Sequence, residues 1–476
     1  MNNLIILLLF ILLTGIAVLD FKGKISVVSK WNVWYTLFVM PHIFLLAVIF
    51  EKYLSVWSLV IICLYCVYCL VRLHICPVLK DESENLRLII MAGGRILLLF
   101  GITAFLMQSL AYILLWNVIQ RRVIPNQQIS SQILLIDGVI TAVCVLLLLL
   151  NGLFRVYFTS RRLGIVRRAV FLLIWWVPIV NIVMVLDFCR QVRWEYDHEC
   201  NKVILHKVRV DSRVCATKYP LLMVHGIGFR DLKYLNYWGR IPREIIRNGA
   251  RVYYGHQEAM GNIEDNARDI QSKIFEIIEE THCEKVNIIG HSKGGLDARY
   301  MISEYNMGPY VSSLTTIATP HQGSELLDVL AKLPDKLFRK IASLIDLHFR
   351  NLGDRNPDCY TSSRQMLPSY VQEFNRHVRD VEGVYYQSYA LVMKNVFSDT
   401  LLWFPYAIIK HIKGPNDGLV CVESAKWGEF RGILTNTYRR GISHADIIDL
   451  KREDIRGFDI KEQYVKIISE LKEMNF

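Results

Sequence analysis

The stretch Val286-Asn287-Ile288-Ile289-Gly290-His291-Ser292-Lys293-Gly294-Gly295 decides how this chain is read. Its first four residues form an apolar run of strand length. The residues after it, 296–305, have helical spacing. Between them lies a G-x-S-x-G turn joining a strand to a helix. In such a turn the serine takes a strained backbone conformation that lifts its hydroxyl clear, and side chains in place of the glycines would clash. The spacing therefore predicts Ser292 as a nucleophile.

A serine hydroxyl is a weak nucleophile at neutral pH and needs a general base. Where a serine sits on a strand-to-helix elbow, its partners follow in the order acid, then histidine. His321, His348, His377, His411 and His444 all lie downstream. Only His444 follows an acid in a strand-end turn, Pro415-Asn416-Asp417-Gly418, which precedes the apolar Leu419-Val420-Cys421-Val422. Asp417 is thus expected to orient the imidazole and His444 to act as general base and acid. A developing oxyanion needs two preorganised backbone N–H donors. Lys293, next to the nucleophile, is one candidate. Ile227, in the turn His225-Gly226-Ile227-Gly228, is the other. His225 reads as a brace for that turn.

Around these residues short apolar runs alternate with helical patterns. Strands are expected at 203–210, 219–224, 251–254, 285–289, 314–318, 384–392 and 434–438, and helices at 241–247, 262–280 and 460–474. Alternation of this kind implies a mostly parallel sheet covered on both faces. An insertion at about 325–375 carries Leu326, Leu327, Leu330, Leu333, Leu337, Phe338, Ile341, Leu344 and Ile345 at helical spacing, split by Pro334. It reads as a pair of amphipathic helices forming a lid or cap.

Before residue 193 the texture is different. Apolar runs at 3–19, 33–50, 53–71, 96–119, 133–154 and 169–188 each approach the roughly 20 residues that cross a bilayer. The first is expected to be a retained helix rather than a cleaved leader. The chain thus divides into a helical membrane domain, 1–192, and a catalytic domain, 193–476. The net charge of +11 follows this division. Residues 1–194 hold 17 Lys and Arg against 7 Asp and Glu, and the remainder 38 against 37. The basic excess belongs to loops between membrane segments, which argues against a nucleic-acid partner. One alternate set of loops carries Lys22, Lys24, Lys30, Arg72, Lys80, Arg87, Arg155, Arg161, Arg162, Arg167 and Arg168. The other carries only Lys52, Arg121, Arg122, Arg190 and Arg193. The richer set should be cytoplasmic. With six crossings, the catalytic domain of this multi-pass cell-membrane protein would be extracytoplasmic. There Cys200 and Cys215 could pair as a disulfide. Arg95 and Asp137 fall near segment ends and are expected to reach the interface. Gly93, Gly94 and Pro178 read as packing or kink positions.

Residues 219–476 resemble the bacterial triacylglycerol lipase and esterase families of the α/β-hydrolase superfamily. The resemblance rests on Val224-His225-Gly226-Ile227-Gly228, Ile289-Gly290-His291-Ser292-Lys293-Gly294-Gly295, Thr319-Pro320-His321-Gln322-Gly323-Ser324, Asn416-Asp417-Gly418-Leu419-Val420 and Ser443-His444-Ala445-Asp446, in the family's order. It implies an α/β-hydrolase fold, here preceded by an all-α transmembrane domain of about six helices. It also implies ester hydrolysis through an acyl-enzyme on Ser292, Asp417 and His444. No cofactor is required, but similar lipases often hold a structural calcium beside the catalytic histidine. Asp446 matches one ligand of that site. Asp399 is the nearest candidate for a second, and Leu450 stands where the family has Gln. The resulting reading is a membrane-anchored serine hydrolase acting on acyl-ester lipids at the bilayer. Two others remain open: an acyltransferase or thioesterase on the same triad, and a membrane protein whose hydrolase-like domain regulates without hydrolysing.

Overall fold

A computed structural model describes residues 2–21, 37–51, 53–77, 85–122, 131–209, 211–228 and 236–476. Lys22, Lys24, Lys30, Lys52, Lys80 and Val210, and residues 33–36 of the expected second span, lie outside them. The chain forms two compact units, Met1–Lys207 and Val208–Phe476.

The described part of the first unit is helical: α1 (Asn2–Phe21), α2 (Ile43–Phe50), α3 (Val56–Ile75), α4 (Leu86–Arg122), α5 (Ser131–Thr159), α6 (Ile165–Ile174) and α7, which runs Pro178–Arg209. Among the described residues, three stretches are long and apolar enough to cross a membrane: Val56–Ile75, Leu86–Leu114 and Gln132–Thr159. Six were expected. In the second expected span, a 3-10 turn at Met40–His42 leads into only eight residues of α2. The sixth, 169–188, is not one helix but a hairpin. The ten residues of α6 rise about 15 Å, half a bilayer. The chain then turns at Trp175-Trp176-Val177 and returns as α7, with Pro178 at the first helical position, where a missing N–H costs nothing. Phe171 on the way in packs on Phe188 on the way back, ring centroids 5.3 Å apart. At the end of the return leg, buried Glu195 accepts from Arg87, from Ser160 Oγ at 2.7 Å and from the N–H groups of Arg161 and Arg162. Hydropathy averages composition along the chain and is blind to such a reversal.

Small residues let α4 and α5 approach closely. A Cβ on Gly94 would stand 3.0 Å from Gly152 O, and one on Gly152 would stand 2.9 Å from Gly94 O. Asp137 corrects another expectation. It does not reach an interface. It is fully buried, and its Oδ2 accepts from Tyr112 Oη at 2.5 Å and meets His42 Nδ1 at 2.7 Å. His42 Nε2 faces Gln108 Oε1 at 2.9 Å. Because α5 begins at Ser131, Asp137 sits well inside the helix, and its partners come from segments far away in sequence. The strand expected at 203–210 is also corrected, since residues 203–209 are the last turns of α7. The expected domain boundary at 192/193 falls within that helix. Cys200 and Cys215 do not form the expected disulfide.

In the second unit the elements are β1 (Leu221–Val224), α8 (Ile241–Arg247), β2 (Val252–Tyr254), α9 (Ile263–Thr281), β3 (Val286–His291), α10 (Lys293–Glu304), β4 (Val311–Ile317), α11 (Glu325–Leu330), α12 (Asp335–Asn351), α13 (Cys359–Arg364), α14 (Pro368–His377), β5 (Tyr385–Leu391), α15 (Trp403–Ile412), β6 (Glu429–Leu434) and α16 (Ile460–Glu473). The six strands form one parallel sheet in the order β2-β1-β3-β4-β5-β6. Parallel sheets are apolar on both faces, and β1 shows why. Leu221 and Met223 join Ile241 and Ile245 of α8 and Ile460, Tyr464, Ile467 and Ile468 of α16. Leu222 and Val224 join Ala267, Ile270, Ile274 and Ile277 of α9 and Ala298, Met301 and Ile302 of α10. The last strand is shifted from expectation, because residues 435–438 form loop and turn rather than sheet.

Replacing Asp137 by Ala leaves the Tyr112 hydroxyl and His42 without their acceptor inside apolar helices. It should cost about 1–2 kcal/mol, read as a lower melting temperature of the detergent-purified protein. Tyr112→Phe, which removes one donor only, should cost less.

Candidate active site

Ser292 connects β3 to α10. Its backbone is left-handed, φ +54° and ψ −133°, and it is 7% exposed. A β-carbon in that region is strained, and packing must hold it there. Two glycines show how tightly. A Cβ on Gly294 would lie 2.3 Å from His225 O, and one on Gly226 would lie 2.7 Å from Ser292 Cβ. The elbow and the β1 turn thus meet backbone to backbone. The Ser292 N–H donates to Ile317 O at 3.1 Å, tying the elbow to β4.

Asp417 lies between α15 and β6, and His444 follows β6. The His444 Nδ1 and Asp417 Oδ2 are 2.7 Å apart, and both side chains are buried. Asp417 Oδ1 accepts from the N–H groups of Leu419 and Val420 at 2.9 and 2.8 Å, which fixes the carboxylate's rotation. The His444 N–H donates to Asp417 O at 2.9 Å. No Ser292–His444 hydrogen bond joins them among the described residues. The imidazole reaches the elbow through His291, ring centroids 4.5 Å apart. Such a bond is commonly long before substrate arrives. Burial, reinforced by the neighbouring His444, holds the His291 imidazole well below its usual pKa, so it adds no charge beside His444.

The N–H groups of Ile227 and Lys293 carry no protein hydrogen bond among the described residues. Lys293 opens α10, where first-turn N–H groups have no helical acceptor. Its side chain turns away into the protein. There Lys293 Nζ donates to Asp297 Oδ1 at 2.6 Å with both side chains 1% exposed, and Asn266 donates to the other oxygen at 3.0 Å. Burial pushes the Asp297 carboxyl up, against the pull of the Lys293 ammonium. His225 is held between Gly226 O and Gln257 O.

Tyr237 was not legible as a site residue in the sequence. Its hydroxyl accepts from the Gly226 N–H at 3.1 Å and lies 2.6 Å from His291 Nδ1, joining the β1 turn to the elbow. Arg299 was missed as well. It is 2% exposed and lies 3.4 Å over the Trp427 ring, and Trp427 in turn stacks on His321. No local spacing signals either residue.

The insertion packs over the β1 turn. Pro334 separates α11 from α12, as expected. Leu327 of α11, and Ala342, Ile345 and Phe349 of α12, face clusters that include Ile227. On the outer side of α12, Leu337, Ile341, Leu344 and Leu347 are exposed.

Asp446 and Asp399 are the residues that could contribute to a cation site, and both carboxylates are engaged. Asp446 takes a fork from Arg440 at 2.7 and 2.9 Å. Asp399 takes Lys451 Nζ at 2.8 Å and Ser443 Oγ at 2.7 Å. Calcium asks for six to eight oxygens turned inward on one point. Among the described residues, no group of three or more His, Cys, Asp or Glu could hold a metal ion. This donor set does not fit calcium.

A six-stranded parallel sheet with an elbow serine after β3 and an acid–histidine pair in the loops before and after β6 defines an α/β-hydrolase. Comparison narrows this. Residues 220–379 match the family model described as palmitoyl protein thioesterase. Triacylglycerol lipase 2 of Saccharomyces cerevisiae is 29% identical over 59% of this chain and 99% of its own length. A triacylglycerol lipase of Vibrio cholerae is 28% identical over 49% of this chain and 80% of its own. Among solved structures, a Bacillus licheniformis lipase in mature form aligns with 50% of this chain and 88% of its own at 21% identity, TM-score 0.39. The chain belongs to the lipase/esterase family of α/β-hydrolases and is a carboxylic-ester hydrolase.

Asp297→Ala strands the Lys293 ammonium in a dry site and should destabilise the second unit by about 3–5 kcal/mol. The double change Lys293→Met with Asp297→Leu should recover most of that loss. Thermal unfolding followed by Trp fluorescence reads both.

Proposed function

We propose that this protein is a membrane-anchored serine hydrolase that cleaves acyl-ester lipids through an acyl-enzyme on Ser292. The observation that carries the reading is the 2.7 Å Asp417–His444 pair beside a serine held at φ +54°. In this mechanism His444 Nε2 takes the Ser292 hydroxyl proton as Oγ attacks the carbonyl carbon. Asp417 accepts from Nδ1–H and stabilises the imidazolium. The oxyanion is held by the N–H groups of Ile227 and Lys293, which have no protein acceptor among the described residues. His444 then gives its proton to the departing alcohol, and water, activated by the same imidazole, releases the acid. The exposed apolar stripe on α12 suits a cap that works against lipid, and two relatives are named as triacylglycerol lipases. A thioester substrate is the second reading. It is favoured by the match of 220–379 to palmitoyl protein thioesterases and uses the same acyl-enzyme with a thiol leaving group.

Ser292→Ala should abolish fluorophosphonate labelling and lower hydrolysis of p-nitrophenyl decanoate by at least about 10³-fold. Retained labelling would remove Ser292 from the mechanism. Palmitoyl thioester cleaved much faster than the matching oxygen ester would decide for the second reading.

The three apolar helices support anchoring in the bilayer, and the α6–α7 hairpin bears on its orientation. We infer that the multi-pass anchor leaves the catalytic unit on the cytoplasmic side. The extracytoplasmic expectation rested on a sixth crossing. Glu195, after that segment, pairs with Arg87, Ser160, Arg161 and Arg162, in the loops richest in basic residues. Those loops favour the cytoplasm, and residue 195 shares their side. Protease added to intact cells should therefore leave a C-terminal tag protected, while inverted vesicles should release it. Release from intact cells would restore the opposite orientation.

A further inference from the structure

His444 sits in the loop Gly441-Ile442-Ser443-His444-Ala445-Asp446, and two carboxylates grip its neighbour Ser443 from different directions. Asp446 Oδ2 accepts from the Ser443 N–H at 2.9 Å. Asp399 Oδ2 accepts from Ser443 Oγ at 2.7 Å, and that same hydroxyl accepts from the Asp446 N–H at 3.1 Å. Ser443 is fully buried, and the Asp399 side chain is fully buried. Two buried carboxylates meeting at one serine would repel each other and carry a heavy desolvation cost unless neutralised.

The neutralising charges come from the chain itself. Arg440 spans both Asp446 oxygens with its planar fork. Lys451 reaches Asp399 Oδ1, which also accepts from the Leu401 N–H at 2.9 Å. Every oxygen of the two carboxylates thus has a donor. The two cations balance the two anions, and both cationic side chains are partly exposed, so their charged heads remain within reach of water.

We propose that Arg440 and Lys451 are positioning residues, built-in cations that lock the Asp399–Ser443–Asp446 brace and so hold His444 in register with Asp417 without a bound divalent ion. The proposal rests on the assignment of His444 as general base. It follows that removing one cation leaves an excess negative charge beside Ser443. A divalent cation, which has no free carboxylate oxygen to bind in the unaltered protein, could then settle there.

The experiment uses the full-length protein in detergent, with EDTA and calcium chloride as the probes. It follows kcat and KM for p-nitrophenyl decanoate, and melting temperature. The unaltered protein should show the same kcat and the same melting temperature in both solutions. Lys451→Met and Arg440→Met should each lower kcat by about 10- to 100-fold with KM changed less than about twofold, because the imidazole and not the acyl site is displaced. Calcium should restore part of the lost kcat, or raise the melting temperature, in Lys451→Met. Lys451→Arg, which keeps the charge, should keep most of the activity. Loss of activity or of thermal stability in EDTA by the unaltered protein, reversed by calcium, would overturn the proposal. So would full kcat in both Met variants, or calcium indifference of Lys451→Met in both kcat and melting temperature. Should Ser292 fail to label with fluorophosphonate in the unaltered protein, the triad assignment fails. The melting arms still decide separately whether the brace is held by internal cations or by metal.

Discussion

Much of the second unit depends on one constraint, the left-handed backbone at Ser292. A serine does not hold φ +54° by itself. It is held because β3 is anchored on both faces of the sheet, Ile289 in one core and Val286 and Ile288 in the other, where Ala298, Met301 and Ile302 of α10 pack beside them, and the connection between strand and helix has no slack. The absence of side chains at 226 and 294 then lets the β1 turn close on the elbow, with Gly294 against His225 O. The strain is small beside the burial that opposes its release. Each apolar side chain removed from water contributes roughly 1.5–3 kcal/mol, and both faces of the sheet are lined with them.

The carboxyl ends of the parallel strands then do the gathering. β1 delivers Gly226 and Ile227, β3 delivers Ser292, and β6 leads to His444, while Asp417 comes back from the excursion between β5 and β6. Residues almost 220 positions apart converge because a parallel sheet sends every such turn to the same edge. Precision comes from smaller bonds: two backbone N–H groups fix the Asp417 carboxylate, Tyr237 joins turn to elbow, and the Ser443 brace sets the histidine loop.

In the first unit, polar pairs play the role that strand order plays in the second. In lipid, apolar surface gives helices little reason to choose neighbours, so buried polar contacts and small-residue contacts carry specificity. Asp137 with Tyr112 and His42, and Glu195 with Arg87 and Ser160, are such contacts. The second of them also ties the return leg of the hairpin to Arg87 and Ser160.

Local pattern alone determined the serine turn between a strand and a helix, the strand-to-helix alternation, most of the sheet and the Pro334 break. All of these are written in short windows, where steric rules and hydrophobic period act between near neighbours. The failures share one physical cause. The helix over 203–209, the hairpin at 165–209, the burial of Asp137 and the engagement of Asp446 by Arg440 each depend on what a residue meets across space. Asp446 has the sequence position of a calcium ligand, but a guanidinium six residues earlier folds back to occupy its oxygens. Charge neutralisation and chain reversal are decided by packing, so only the tertiary structure could determine them.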